Sequence, residues 1–231
     1  MVRSRLAESL YFFRQHWLPL LRLLAPVLLP ASAFMNYRYY FIHAGEVEKA
    51  AADGLVMGVQ LMAGLLANAL VLQYTLTESG HAHEGRGAGA WSEALARVPS
   101  LFAVQILTGA LIFMGLLLLV LPGVWLMGVL MPAYVLVVAE GLPGIEAIKQ
   151  AWSRFRPGAW QIAAALTVLL AGLILCMGLL EVPERMLAGA DVQWRWLTGM
   201  VVDVAGLLLA QIVMILLVRF YDLEKIGRAD G

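Results

Sequence analysis

Between Val98 and Ala139 the chain carries no Asp, Glu, Lys, Arg or His, and only Pro122-Gly123 interrupts the apolar run near its middle. As one helix this stretch would be about 60 Å long at 1.5 Å per residue, roughly twice the hydrocarbon thickness of a bilayer. It therefore reads as two spans, 101–121 and 124–140, with Pro and Gly supplying the fixed φ and the free backbone of a tight reversal. Four further apolar stretches have the length of a single crossing: 18–35, 54–76, 159–180 and 196–218. The pattern predicts an all-α polytopic membrane protein, a single domain over 1–231, with six transmembrane helices arranged as three hairpins.

A different periodicity precedes each hairpin. Leu6, Leu10, Phe13 and Trp17 recur at helical spacing within 3–17, Trp91, Leu95 and Val98 share a face within 91–98 before Pro99, and Ile145, Ile148, Trp152 and Phe155 share one within 142–156. These stretches predict three amphipathic helices in the cytoplasmic interface, apolar side towards the acyl chains. Trp17, Trp91, Ile148, Trp152 and Phe155 are the expected lipid-interface residues. Each unit, beginning near Glu8, Glu93 or Glu146, runs from an amphipathic helix through a proline into a span, a weak internal repeat. Pro19, Pro26 and Pro30 predict a bent first span, with Arg22 snorkelling to the near interface. Ala31-Ser32-Ala33 also resembles a signal-peptide processing site, a reading disfavoured by the length of the leader before it.

Composition agrees. Of 231 residues, 61% are hydrophobic and 14% charged, whereas roughly a quarter are charged in an average soluble domain. Basic and acidic residues balance at 16 each, so no basic excess points to nucleic acid. Their placement is uneven: only Arg38, Lys49, Arg185 and Arg195 fall on the side away from the termini. The excess of Lys and Arg on the other side predicts a cytoplasmic location for both ends. Trp17, Trp91, Trp152 and Trp160 are expected at the inner boundary, and Trp125, Trp194 and Trp196 at the outer one.

Candidate chemistry is sparse. A single cysteine, Cys176, excludes an intramolecular disulfide and argues against a thiolate zinc site. His81-Ala-His83-Glu84 offers two imidazoles and a carboxylate, but Gly80, Gly85, Gly87 and Gly89 around them leave the ligands unpositioned, so neither metal nor cofactor is expected. With no phosphate-binding glycine loop, nucleophile elbow or CxxC pair, an enzyme is not expected. Asp203 is the sharpest signal, a carboxylate about 10 Å inside the sixth span by helical rise. Gly199, Asp203, Gly206 and Ala210 share its face. Depth matching pairs Asp203 with Gln60, and Asn68 with Gln211, as packing contacts between spans two and six, with Gly58, Gly64 and Ala67 favouring close approach by span two. The competing reading of Asp203 is a proton or substrate site.

The segments Leu121-Pro-Gly-Val-Trp125, Met131-Pro-Ala-Tyr134 and Val138-Ala-Glu-Gly-Leu-Pro-Gly-Ile-Glu-Ala-Ile-Lys149 resemble the signature of the YciC-like family of bacterial inner-membrane proteins. They are also similar to the membrane portions of some glycerophosphodiester phosphodiesterases. Pro122, Gly123, Pro132, Glu140, Gly144 and Ala147 carry the match, while Ala151 stands where related sequences often have serine. The resemblance implies a multi-pass protein of the cell inner membrane associated with envelope or phospholipid homeostasis, and supplies no catalytic residues. The expected function is non-enzymatic, through contacts with membrane phospholipids or with an inner-membrane or envelope protein. The alternative is a small lipid or solute carrier or channel using Asp203 and a bent Pro132 helix. An intramembrane enzyme comes third.

Overall fold

The computed structural model describes residues 2–43, 46, 48, 49, 52–80, 88–186, 189 and 191–229, and among these there are helices and turns but no strand. Helix α1 covers Val2–Tyr37 and unwinds into a π turn at Arg38–Ile42; α2 is Gly54–Glu78 and α3 is Ala88–Leu118. The second half of the chain forms α4 (Val120–Leu130), α5 (Ala133–Glu140), α6 (Gly144–Phe155), α7 (Ala159–Leu180), α8 (Val182–Met186), α9 (Val192–Ala210) and α10 (Ile212–Ala229). Among the described residues, six helical stretches are long and apolar enough to cross a membrane: Val2–Ile42, Gly54–Glu78, Trp91–Leu118, Val120–Glu140, Gly144–Leu180 and Val192–Ile226.

Several expected boundaries are not breaks. Helix α1 runs without interruption from the predicted interfacial segment into the predicted span, with Pro19, Pro26 and Pro30 inside it. Helix α3 likewise passes through Pro99. Each proline removes one backbone donor, a loss that neighbouring groups and local adjustment accommodate in helices of this apolar kind. The reversal between α3 and α4 is tighter than predicted. Leu119 alone is extended, at φ −162° and ψ 137°, and Pro122-Gly123 lies in the first turn of α4, where a missing N–H leaves no bond unmade. Such a turn needs glycine on both arms: a Cβ on Gly115 would lie 2.9 Å from the Gly123 Cα, and one on Gly123 would lie 2.6 Å from the backbone nitrogen of Leu116. The predicted fourth span, 124–140, is interrupted only at Met131-Pro132, where both residues keep helical backbone angles and Pro132 lacks the N–H for a bond to the preceding turn. The sixth is divided at Gln211.

Helices α1 and α10 meet at one end of the molecule, here called proximal, where the Arg219 guanidinium sits 5.1 Å over the Phe12 ring. At the distal end Arg38 pairs with Asp53, closing α1 onto α2. The best-buried packing is in the proximal half, where Leu20, Leu24 and Leu28 of α1 join Leu70, Leu72 and Leu76 of α2, Ile215 of α10, and α5. Helix α5 is the most enclosed element, with Ala133 to Val137 no more than 3% exposed. Leucine gains little by leaving lipid for protein, so helix association here relies on close fit and interhelical hydrogen bonds, the latter worth about 0.6 kcal/mol each on average.

Candidate functional site

Among the described residues, one cluster of polar groups inside this apolar frame surrounds Asp203. Along α1 and the π turn that follows it, Ser32, Asn36 and Tyr40 recur every fourth residue and so line one face. That face meets α9. Asn36 Nδ2 donates to Asp203 Oδ2 at 2.6 Å and to the Ser32 carbonyl at 3.0 Å, using both amide hydrogens. Ser32 Oγ donates to the Met200 carbonyl at 3.1 Å, and the Trp196 indole N–H donates to the Ala33 carbonyl at 3.3 Å. Farther out, the Arg195 guanidinium lies 5.1 Å over the Tyr40 ring. Close approach depends on Gly199, where a Cβ would stand 3.3 Å from the Tyr40 ring and nearer still to the Asn36 amide. Asp203, half-buried, is thus a tie between α1 and α9.

This corrects the expected partner. Gln60 is exposed on α2 and is not the group that meets Asp203. Asn68 is partly buried, and Gln211 turns its amide N–H back on the Leu207 carbonyl at 3.2 Å instead of across to Asn68. The Gln211 Oε1 is buried with no protein donor. Nor do Gly58 and Gly64 allow a close approach, since a Cβ at either would meet nothing within 4 Å. On the predicted face of α9, Gly206 is the other tight position, 2.9 Å from the Met177 Cε of α7 for an added Cβ. Sequence reasoning missed Asn36 because the apolar run was closed at Met35. The signal was available in the Ser32, Asn36, Tyr40 spacing.

A second cluster is proximal. Glu140, at the end of α5, accepts from Arg154 of α6 and, at 3.2 Å, from the Tyr221 hydroxyl of α10. Gln73 of α2 donates to Glu93 of α3, and Arg219 pairs with Asp222 at 3.7 Å. Gly141 closes α5 at φ 69°, a left-handed conformation, and is packed against the Arg97 guanidinium, 2.8 Å from an added Cβ. Of these contacts, the Arg154–Glu140 pair is the one that ties α6 to the end of α5.

Helix α6 divides its apolar arc in two. Gly144, Ala147, Ala151 and Phe155 face the protein, Phe155 being only 3% exposed, so the expectation that Phe155 faces lipid is corrected. Ile145 and Trp152 are exposed, and Ile148 is half-buried. Trp152 meets Trp125 edge to face, the ring centroids 5.4 Å apart. The two tryptophans, expected at opposite membrane boundaries, are therefore at the same level. Trp17 is exposed and Trp91 packs on the core.

At the distal end Asp53 caps α2 by accepting from the Leu55 N–H at 2.9 Å. The His43 ring, 2.9 Å away, and then Arg38 hold its carboxyl well below the usual carboxylate range, against the opposing effect of burial. Among the described residues no group of three or more His, Cys, Asp or Glu could hold a metal ion. His81, His83 and Glu84 lie outside the described residues. The chain matches no protein-family model, and no curated protein and no solved structure is significantly similar to it.

Proposed function

We propose that this chain is a non-enzymatic multi-pass protein of a bacterial inner membrane that supports envelope or phospholipid homeostasis by contact with lipid or with a partner protein. The observation that carries the reading is the split face of α6: small residues seat it on the protein, while Ile145 and Trp152 remain outside beside Trp125. An exposed Trp152 against a half-buried Trp125, flanked by Lys149 and Arg156, has the chemistry of a membrane interface, apolar rings at headgroup depth and cations at the phosphates. The charge asymmetry makes the proximal end cytoplasmic. Kinship with YciC-like proteins is part of the proposal. Of the residues that carry it, Gly123 closes the hairpin turn, Pro132 sits at the boundary between α4 and α5, Glu140 binds Arg154, and Gly144 lies against Ala103 of α3.

Protein extracted in mild detergent is expected to retain phospholipid or a co-purifying membrane protein. Trp152→Glu, which puts a charge on the outward edge without touching the buried Ala147 and Ala151, should reduce that retention while leaving the fold intact. Equal retention in the variant, or a wild-type protein that is stable with neither lipid nor partner, would overturn the proposal.

A further inference from the structure

Helix α3, and α4 together with α5, are long enough to cross a membrane, but their contacts set the α3–α4 turn at the wrong height to reach the far side. Gly128 of α4 lies against the start of α7: a Cβ there would sit 3.0 Å from both the Ala159 carbonyl carbon and the Ala163 Cβ. From that shared level α7 rises 22 residues to Glu181, about 33 Å at helical rise, whereas α4 reaches the turn at Leu119 in nine residues, about 13 Å. The turn thus stops about 20 Å short of the end of α7. A tilt of 40° in α7, the steep end of what transmembrane helices show, would still leave about 12 Å.

Three independent observations agree. The far half of α7 loses its neighbours: Leu166 and Leu169 are buried, while Ile174, Leu175 and Leu179 are about 70% exposed. At that far level α7 instead meets α9, where Met177 packs on Gly206 one turn below Asp203. The distal connections carry charge, Arg38 and Asp53 in one and Glu181, Asp191 and Arg195 in the other. The α3–α4 turn carries none: Leu117 to Leu121 are all apolar and 66–74% exposed. Five consecutive aliphatic side chains turned outward are expensive in water or among headgroups and favourable among acyl chains.

We infer that α3, α4 and α5 form a re-entrant hairpin that enters from the proximal side and ends within the bilayer, its Leu117–Leu121 tip and the facing flank of α7 covered by acyl chains of the distal leaflet. The chain then crosses four times, by α1, α2, α7 and α9–α10, and its termini stay on one side as before. At the tip the Leu119 N–H bonds to Gly115 O at 3.0 Å and the Gly123 N–H to Leu119 O at 3.4 Å, and Pro122 has no N–H to satisfy. The inference rests on the proposed membrane location and names the lipid region the protein contacts.

The test uses full-length protein with Cys176→Ala and single cysteines at Leu119, Leu121, Glu181 and Lys149, plus Ile174→Cys as a second lipid-facing site. In sealed vesicles, a membrane-impermeant maleimide should label Lys149→Cys from one side and Glu181→Cys from the other, and Leu119→Cys and Leu121→Cys from neither. Carrying an environment-sensitive fluorophore attached before reconstitution, the Leu119 and Leu121 sites should be quenched more by mid-chain nitroxide lipids than by headgroup nitroxide lipids. Labelling of Leu119→Cys from the same side as Glu181→Cys would overturn the re-entrant hairpin while leaving the membrane reading intact. Protection without mid-chain quenching would mean that protein, such as a second copy, covers the tip, and would overturn lipid as its neighbour. Absence of quenching at Ile174→Cys as well would overturn the membrane location itself.

Discussion

Asp203 accepts from an amide that is also anchored to its own helix, so the seam tolerates change on the carboxylate side better than on the Asn36 side. Asp203→Asn keeps an oxygen facing the Asn36 N–H and is expected to leave thermal stability and abundance near wild type. Asp203→Leu removes the acceptor and adds bulk beside Gly199 and Gly206. It should destabilise by about 1–3 kcal/mol, the range for stranding one buried polar group, read as a lower melting temperature in detergent. If Asp203 instead carried a proton or a cation, Asp203→Asn would abolish function at normal abundance, and that result would put the carrier reading first. Asp203 was legible as an isolated intramembrane carboxylate. Its partner was not, because depth along separate spans says which residues share a level, while only helix packing says which of them touch.

At the scale of one element, the α3–α4 turn is the sharpest case of backbone approach replacing side-chain contact. Gly123→Ala places a methyl against Leu116 and should destabilise by about 1–3 kcal/mol, the usual range for forced overpacking, whereas Gly58→Ala on open α2 should be neutral in the same melting assay. A Gly123→Ala protein as stable as wild type would show that the hairpin opens without penalty. Helix α6 makes a related point. Its period was legible over 142–156, yet the apolar arc of an amphipathic helix is too wide to say which edge meets protein and which meets lipid. Small side chains decide it: Ala147 and Ala151 let the backbone of α6 come close, so Phe155 follows them inward and Trp152 is left outside.

For the whole molecule, reporter tags at Gly231 and after Ala82 should be read out on the cytoplasmic side, and one near Val47 on the opposite side. This pattern holds for six crossings or for four with a re-entrant hairpin, since removing a pair of crossings leaves parity unchanged. A C-terminus on the far side would contradict the pairing of Phe12 with Arg219 at one end as well as the charge asymmetry.

Composition and period alone determined that this chain is helical and that it carries six stretches able to cross a bilayer, because these follow from the length and phase of apolar runs. Tertiary structure decided what those runs cannot encode. A proline in an apolar helix need not end it: α1 and α3 continue through theirs, while the boundary between α4 and α5 falls at Pro132. A run long enough to span does so only if its ends are held at opposite surfaces, and the seating of Gly128 on Ala159 holds the α3–α4 turn well below the far end of α7.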